Sequence, residues 1–141
     1  MKSSYIRLID ANLNRSREGL RVCEDVSRFI LNDRAMTRSF KSLRHKLKEI
    51  YGFCERDYDL FSARDVKKDI GKKTHKGEAS RRNVSDIFAA NIQRVKESLR
   101  VLEESFKLID AKLSERFKKI RFNVYGLETK SLKKIKALRE K

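Results

Sequence analysis

Residues 11–25 read ANLNRSREGLRVCED, and residues 90–104 read ANIQRVKESLRVLEE. The two stretches align without a gap at an offset of 79, with Ala, Asn, Arg, Glu, Leu, Arg, Val and Glu identical at eight of fifteen positions. Further positions exchange like for like: Leu13 for Ile92, Asn14 for Gln93, Arg17 for Lys96, Asp25 for Glu104. A repeat of this kind marks a duplicated structural unit. It preserves Asn and Arg as well as apolar residues, so packing alone does not account for it.

Outward from the repeat the chain reads as helices. Ile6, Ile9, Leu13, Leu20, Cys23, Val26 and Ile30 recur at steps of three, four or seven and predict helix 1 from about Ser4 to Leu31. Asn32-Asp33 supplies a break and a new N-cap. Helix 2 follows from about Arg34 to Cys54 on the stripe Met36, Phe40, Leu43, Leu47, Ile50 and Tyr51. Helix 3 starts near Asn83 or Ser85 and runs to about Ile109, through Ile87, Phe88, Ile92, Val95, Leu99, Leu102 and Phe106. Helix 4 carries Leu113, Phe117, Ile120, Val124 and Leu127 and weakens through Leu132, Ile135 and Leu138. The expected fold is all-α: an antiparallel four-helix bundle of two repeated helical hairpins. A long central loop joins them, and a pseudo-twofold relates helices 1 and 3. Residues 1–128 form the single bundle domain, and 129–141 a basic tail read as a solvated helix or frayed end.

Composition agrees. The 141 residues include no proline and only five glycines, which suits long helices, and 40% are charged. No run of 18 apolar residues is present, so no membrane helix is expected, and the N-terminus lacks a signal-peptide core. The expected location is the cytoplasm. Cys23 and Cys54 fit no metal-ligand spacing and read as reduced packing residues. The net charge of +16 points to an anionic partner: nucleic acid, a membrane face or phosphorylated small molecules.

The chemistry is expected in three places. On a wheel of helix 1, Asn12 and Arg15 fall inside the apolar arc, Glu18 lies at its edge, and Arg21 and Glu24 point away. Asn91, Arg94, Glu97, Arg100 and Glu103 repeat this in helix 3. Arg15 with Glu18, and Arg94 with Glu97, could be plain i,i+3 pairs. The sharper reading is a polar cleft that holds an anion. Helices 2 and 4 add Arg44, Arg121 and Tyr125, with Glu128 a turn further on; His45 lies opposite the helix 2 stripe. The aperiodic segment 57–79, DYDLFSARDVKKDIGKKTHKGEA, exceeds the usual ~12–15-residue limit of structureless loops. It carries Arg64, Asp65, Asp69 and Gly71, suited to phosphate and to Mg²⁺ held by one or two carboxylates. No Walker or dinucleotide glycine motif occurs, nor any Ser–His–Asp or Cys–His arrangement.

Five strings carry a resemblance: IDANLNRSREGLRVCEDVSRFIL from residue 9, LRHKL at 43–47, ARDVKKDIG at 63–71, ANIQRVKESLRVLEE at 90–104 and RFNVYGLE at 121–128. Together they resemble the alternative hydroxymethylpyrimidine phosphate kinase of thiamine biosynthesis, a domain often fused in front of thiamine-phosphate synthase. The resemblance spans about residues 5–128, and the chain looks like a stand-alone version. It implies a phosphotransferase that converts 4-amino-5-hydroxymethyl-2-methylpyrimidine phosphate to its diphosphate with ATP and Mg²⁺. Motif matching and the wheel together assign Arg15, Arg94, Arg64, Glu18 and Glu97 to catalysis. They assign Asn12, Asn91, Arg44, Arg121, Tyr125 and Gly71 to substrate and nucleotide, and Asp65 and Asp69 to the metal. The expected partners are the pyrimidine phosphate and ATP, with no membrane; a homo-oligomer is left open. A basic helical module for nucleic acid is the alternative. It explains the charge but not Asn and Arg on the apolar side of helices, because phosphate backbones are met on exposed faces.

Overall fold

The computed structural model describes residues 3–72 and 80–139. Four helices account for most of them: α1 Ser3–Asp25, α2 Arg34–Tyr58, α3 Val84–Phe106 and α4 Ala111–Arg139. Among the described residues there is no strand. α2, α3 and α4 each begin where the sequence offers a cap. Asp33 accepts from the Met36 amide at 2.9 Å, Asn83 from the Asp86 amide at 3.0 Å and Asp110 from the Leu113 amide at 3.2 Å.

The duplication extends through both helices of each hairpin. α1 maps onto α3 at an offset of 79, and α2 onto α4 at 77, so that Asp33 answers Asp110 and Phe40 answers Phe117. The first hairpin therefore has two extra residues in its link. They are taken up where α1 widens into a π-helical turn, Val26–Ile30, and then breaks at Asn32, whose φ is 51°. The wide turn turns Phe29 and Ile30 outward, 62% and 52% exposed.

α1 and α3 pack most extensively and run antiparallel, since Ser16 meets Ser98 while Gly19 lies against Val95 and Asn91. This seam is close because it is built of small residues. The Ser16 and Ser98 hydroxyls lie 2.7 Å apart, and a Cβ on Gly19 would stand 2.6 Å from Val95 Cγ2 and 3.0 Å from the Asn91 carbonyl oxygen. α2 flanks α1 and α4 flanks α3. The core between them holds Phe40 edge-on to Phe88 at 5.9 Å and Phe106 stacked on Phe117 at 5.3 Å. α2 and α4 touch each other only sparsely, which leaves a groove on that side. The basic C-terminal stretch continues α4, with Ser131 and Ile135 buried and the lysines outward.

Candidate active site

After α2 ends at Asp59 in a left-handed conformation, a short 3₁₀ turn, Phe61–Ala63, carries the chain back over the start of α1. Leu60 anchors that turn in the core. Arg64 then donates from Nε to Asp10 Oδ2 at 2.7 Å and from Nη2 to Asp10 Oδ1 at 3.0 Å. Nη2 also donates to the Tyr51 hydroxyl at 2.8 Å, and the guanidinium lies 5.1 Å over the Phe61 ring. Asp10 is only 4% exposed and also accepts from Asn14 Nδ2 at 3.1 Å. The hydrogen bond to Asp10 raises the Arg64 pKa, against a smaller lowering by burial, so the guanidinium stays charged. Its Nη1 donors make no protein hydrogen bond among the described residues and remain available.

This latch closes one side of a cleft of about 400 Å³ over the first turns of α1. Arg7, Asn12, Arg15, Arg64, Asp65 and Asp69 line it, with Asp10 at its base. Five of the residues expected from sequence thus meet in one place. Asp65 Oδ1 accepts from the Lys68 amide at 3.2 Å, and Asp69 Oδ1 accepts from the Gly71 amide at 2.8 Å. Both carboxylates shape the loop and keep a second oxygen each. Gly71 supports Asp69 rather than lining the cleft. Residues 73–79, including His75, lie outside the described residues.

The wheel misplaced the arc. Arg15, Arg94, Glu18 and Glu97 are exposed, whereas Glu24 and Glu103 are buried at 4% and 3% exposure. Phe29 and Ile30 had drawn the arc toward the arginines, yet the π turn sends both outward. The side facing α3 instead includes Ser16 and Gly19, residues whose small size a hydropathy reading discounts. Asn12 and Asn91 each donate from Nδ2 to the carbonyl four residues back, both at 2.8 Å. Their neighbours Arg15 and Arg94 flank the seam on its outer side, and among the described residues neither forms an ion pair. The i,i+3 pairs of Arg15 with Glu18 and of Arg94 with Glu97, the plainer of the two readings, do not form; Glu97 accepts from Gln93 at 3.0 Å.

Arg44 and Arg121 have partners of their own. Arg44 Nε donates to Glu24 Oε1 at 3.0 Å, and Arg121 Nε donates to Glu103 Oε2 at 2.9 Å. These are equivalent pairs, one in each hairpin. Arg121 also donates to the Tyr125 hydroxyl at 3.0 Å. Burial acts to lower the Arg121 pKa, but its bonds to Tyr125 and Glu103 outweigh that and raise it. Beside them Lys96 reaches Glu128 at 2.9 Å, while its counterpart Arg17 lies 4.7 Å over the Tyr51 ring. Arg44, Arg121 and Tyr125 thus bind the bundle together and lie outside the cleft lining. His45 is exposed, as expected.

Among the described residues no group of three or more His, Cys, Asp or Glu side chains forms a ready metal cage. Asp65 and Asp69 fit a looser role, since Mg²⁺ commonly takes one or two carboxylates and completes its shell with water and phosphate oxygens. Asp10 escaped the sequence reading because its repeat counterpart is Ala89. The one available signal was an acid flanked by Ile9 and Leu13 in a helix, facing a loop that carries an unpaired-looking Arg.

The profile of the ThiD2 family matches residues 7–130. The thiamine-phosphate synthase of Synechocystis sp. (strain ATCC 27184 / PCC 6803 / Kazusa) is 44% identical over 128 residues, 90% of this chain and 36% of the relative. That of Thermosynechococcus vestitus is 42% identical over 123 residues, 86% of this chain and 34% of the relative. That of Rhodopirellula baltica is 36% identical over 124 residues, 87% of this chain and 33% of the relative. The chain spans about a third of the length of these relatives. No solved structure matches. No described helix is long and apolar enough to cross a membrane. A family match over residues 7–130, nearly the whole chain, shows that this protein belongs to the ThiD2 family.

Proposed function

We propose that this chain is an enzyme of thiamine biosynthesis that transfers the γ-phosphoryl group of ATP to 4-amino-5-hydroxymethyl-2-methylpyrimidine phosphate. Family membership and relatives named thiamine-phosphate synthase support the pathway. The observation that carries the reaction is the cleft where Arg7, Arg15 and Arg64 meet Asp65 and Asp69 over α1.

The chemistry suits such a cleft. The acceptor is itself a phosphate with a second pKa near about 6, so its attacking oxygen is ionised at neutral pH. No strong general base is required. A bond forms from that oxygen to the γ-phosphorus, the bond from γ-phosphorus to the bridging oxygen breaks, and ADP leaves with the electron pair. The task is to hold two anions together and offset the charge that spreads over the transferring group. Arg64, preset by Asp10 and Tyr51, presents its Nη1 donors without having to reorganise. Arg7 and Arg15 reach in from α1. Mg²⁺, bound through Asp65 and Asp69, would supply further charge neutralisation.

The test is direct. The purified chain is given ATP, Mg²⁺ and the pyrimidine monophosphate, and each component is omitted in turn. Formation of diphosphate only in the full mixture is expected. Arg15→Ala and Asp65→Asn should retain the fold and lower kcat/KM about a hundredfold. Absence of diphosphate in the full mixture would overturn the reading, and unchanged turnover in both variants would move the reaction away from this cleft.

A further inference from the structure

A second depression is larger than this cleft: a groove of about 850 Å³ between the N-terminal half of α2 and the C-terminal half of α4. It shares no lining residue with the cleft. Its floor is apolar, made by Met36, Leu43 and Leu127. Phe122 stands at its edge, 55% exposed yet fixed, with the Arg121 guanidinium 5.1 Å away and Tyr125 edge-on at 5.7 Å. Around that floor stand Arg38, Lys46, Lys130, Lys133 and Lys134, and no acidic side chain lines the groove. Lys134 is tied to Asp33. The other four cations form no ion pair among the described residues.

We propose that this groove is a second ligand site, for an aromatic heterocycle that carries a di- or triphosphate. Its volume falls in the range of about 300–1,000 Å³ typical of small-molecule sites. The apolar floor and the held aromatic ring suit a flat heterocycle. Four unpaired cations exceed what a monophosphate can neutralise and match the charge of a polyphosphate chain. The cleft on α1 differs, because its arginines are balanced by aspartates. Two sources share the proposed chemistry: a nucleotide, and the pyrimidine diphosphate. The nucleotide source stands independently of the reaction assigned to the cleft, and the pyrimidine diphosphate source rests on that reaction.

Gly126 provides a clean probe. A Cβ there would meet nothing within 4 Å, so Gly126→Leu projects into the open groove without crowding the bundle. It also replaces a helix-interior glycine with a good helix former. Binding of ATP, ADP, the pyrimidine diphosphate and inorganic triphosphate to the full chain is measured by calorimetric titration. Wild type and Arg15→Ala should bind alike in the groove. Gly126→Leu should lose that binding with an unchanged or higher Tm. Lys130→Glu/Lys133→Glu should weaken it about tenfold or more at unchanged helix content. Tighter binding of ATP or of the pyrimidine diphosphate identifies the source. Binding unaffected in both groove variants overturns the proposal. So does inorganic triphosphate binding as tightly as either heterocycle. A short single-stranded RNA that binds more tightly than ATP, and is lost in the charge-reversed variant, also overturns it and makes the groove a nucleic-acid site.

Discussion

Arg64 illustrates how much a single residue depends on its setting. On a free loop an arginine samples many rotamers, and each anion contact must first immobilise it. Here a carboxylate at 4% exposure fixes the guanidinium through two bonds, and Tyr51 fixes it through a third. Arg64→Ala is expected to lower kcat about a hundredfold or more, the usual loss when a preset donor is removed. Arg64→Lys should recover little, because an ammonium cannot span both Asp10 oxygens and still face the cleft. Asp10→Asn keeps the shape and removes the charge. It should raise KM and lower kcat together while Tyr51→Phe changes both modestly, and steady-state kinetics on the four variants checks the order. Arg64, Asp65 and Asp69 were legible in the sequence because a long aperiodic loop carried them. Asp10 was not, because nothing in a helical string shows which loop will fold back onto it.

At the scale of the element, duplication made the helices easy to read and their facing difficult. Helix starts followed from Asp33 and Asn83, and apolar spacing found the core. Facing depends on partners, and the tightest interface in the molecule is polar and small. Gly19→Ala tests that interface. Alanine favours an isolated helix by about 1 kcal/mol over glycine. Its methyl would here be driven into Val95 and the Asn91 carbonyl, at 2.6 and 3.0 Å. Overpacking of this kind costs about 1–3 kcal/mol, so net destabilisation in urea unfolding is expected. The buried glutamates give a second test. Glu103→Ala strands Arg121 in the bundle and should cost about 3–5 kcal/mol, the usual loss on breaking a buried pair. Glu24→Ala should cost less, because the Arg44 side chain is 19% exposed against 10% for Arg121. The wheel had pointed both glutamates at solvent; their counterpart arginines on α2 and α4 are what hold them inside.

On the scale of the whole molecule, the core seals both thiols. Burial, and then the charge of Glu128, pushes the Cys23 thiol from its ordinary 9.0 up to about 12. Burial, and then Asp57 and Asp110, does the same to Cys54, also to about 12. The unfolded chain releases these protons near pH 9 and the native one does not, so their contribution to stability is full below pH 9 and is lost as pH rises toward 12. A disulfide-type thiol reagent at neutral pH should therefore react only as fast as the chain unfolds, and with both cysteines at once in urea. The duplicated plan has a further consequence at its central seam. Under the 79-residue offset Ser16 corresponds to Val95 and Gly19 to Ser98, so a symmetric ancestor would make one contact twice. This chain makes two different ones: hydroxyl to hydroxyl between Ser16 and Ser98, and hollow to methyl between Gly19 and Val95. If the first hairpin paired with another copy of itself, Ser16 would face a glycine on both sides of the axis, with two voids and no partner hydroxyl. If the second did so, valine would meet serine twice in a space sized for glycine. Each half is therefore a poor match for itself and a good match for the other. Residues 3–72 and 80–139 produced as separate chains should assemble one to one in native mass spectrometry, in preference to either self-pair.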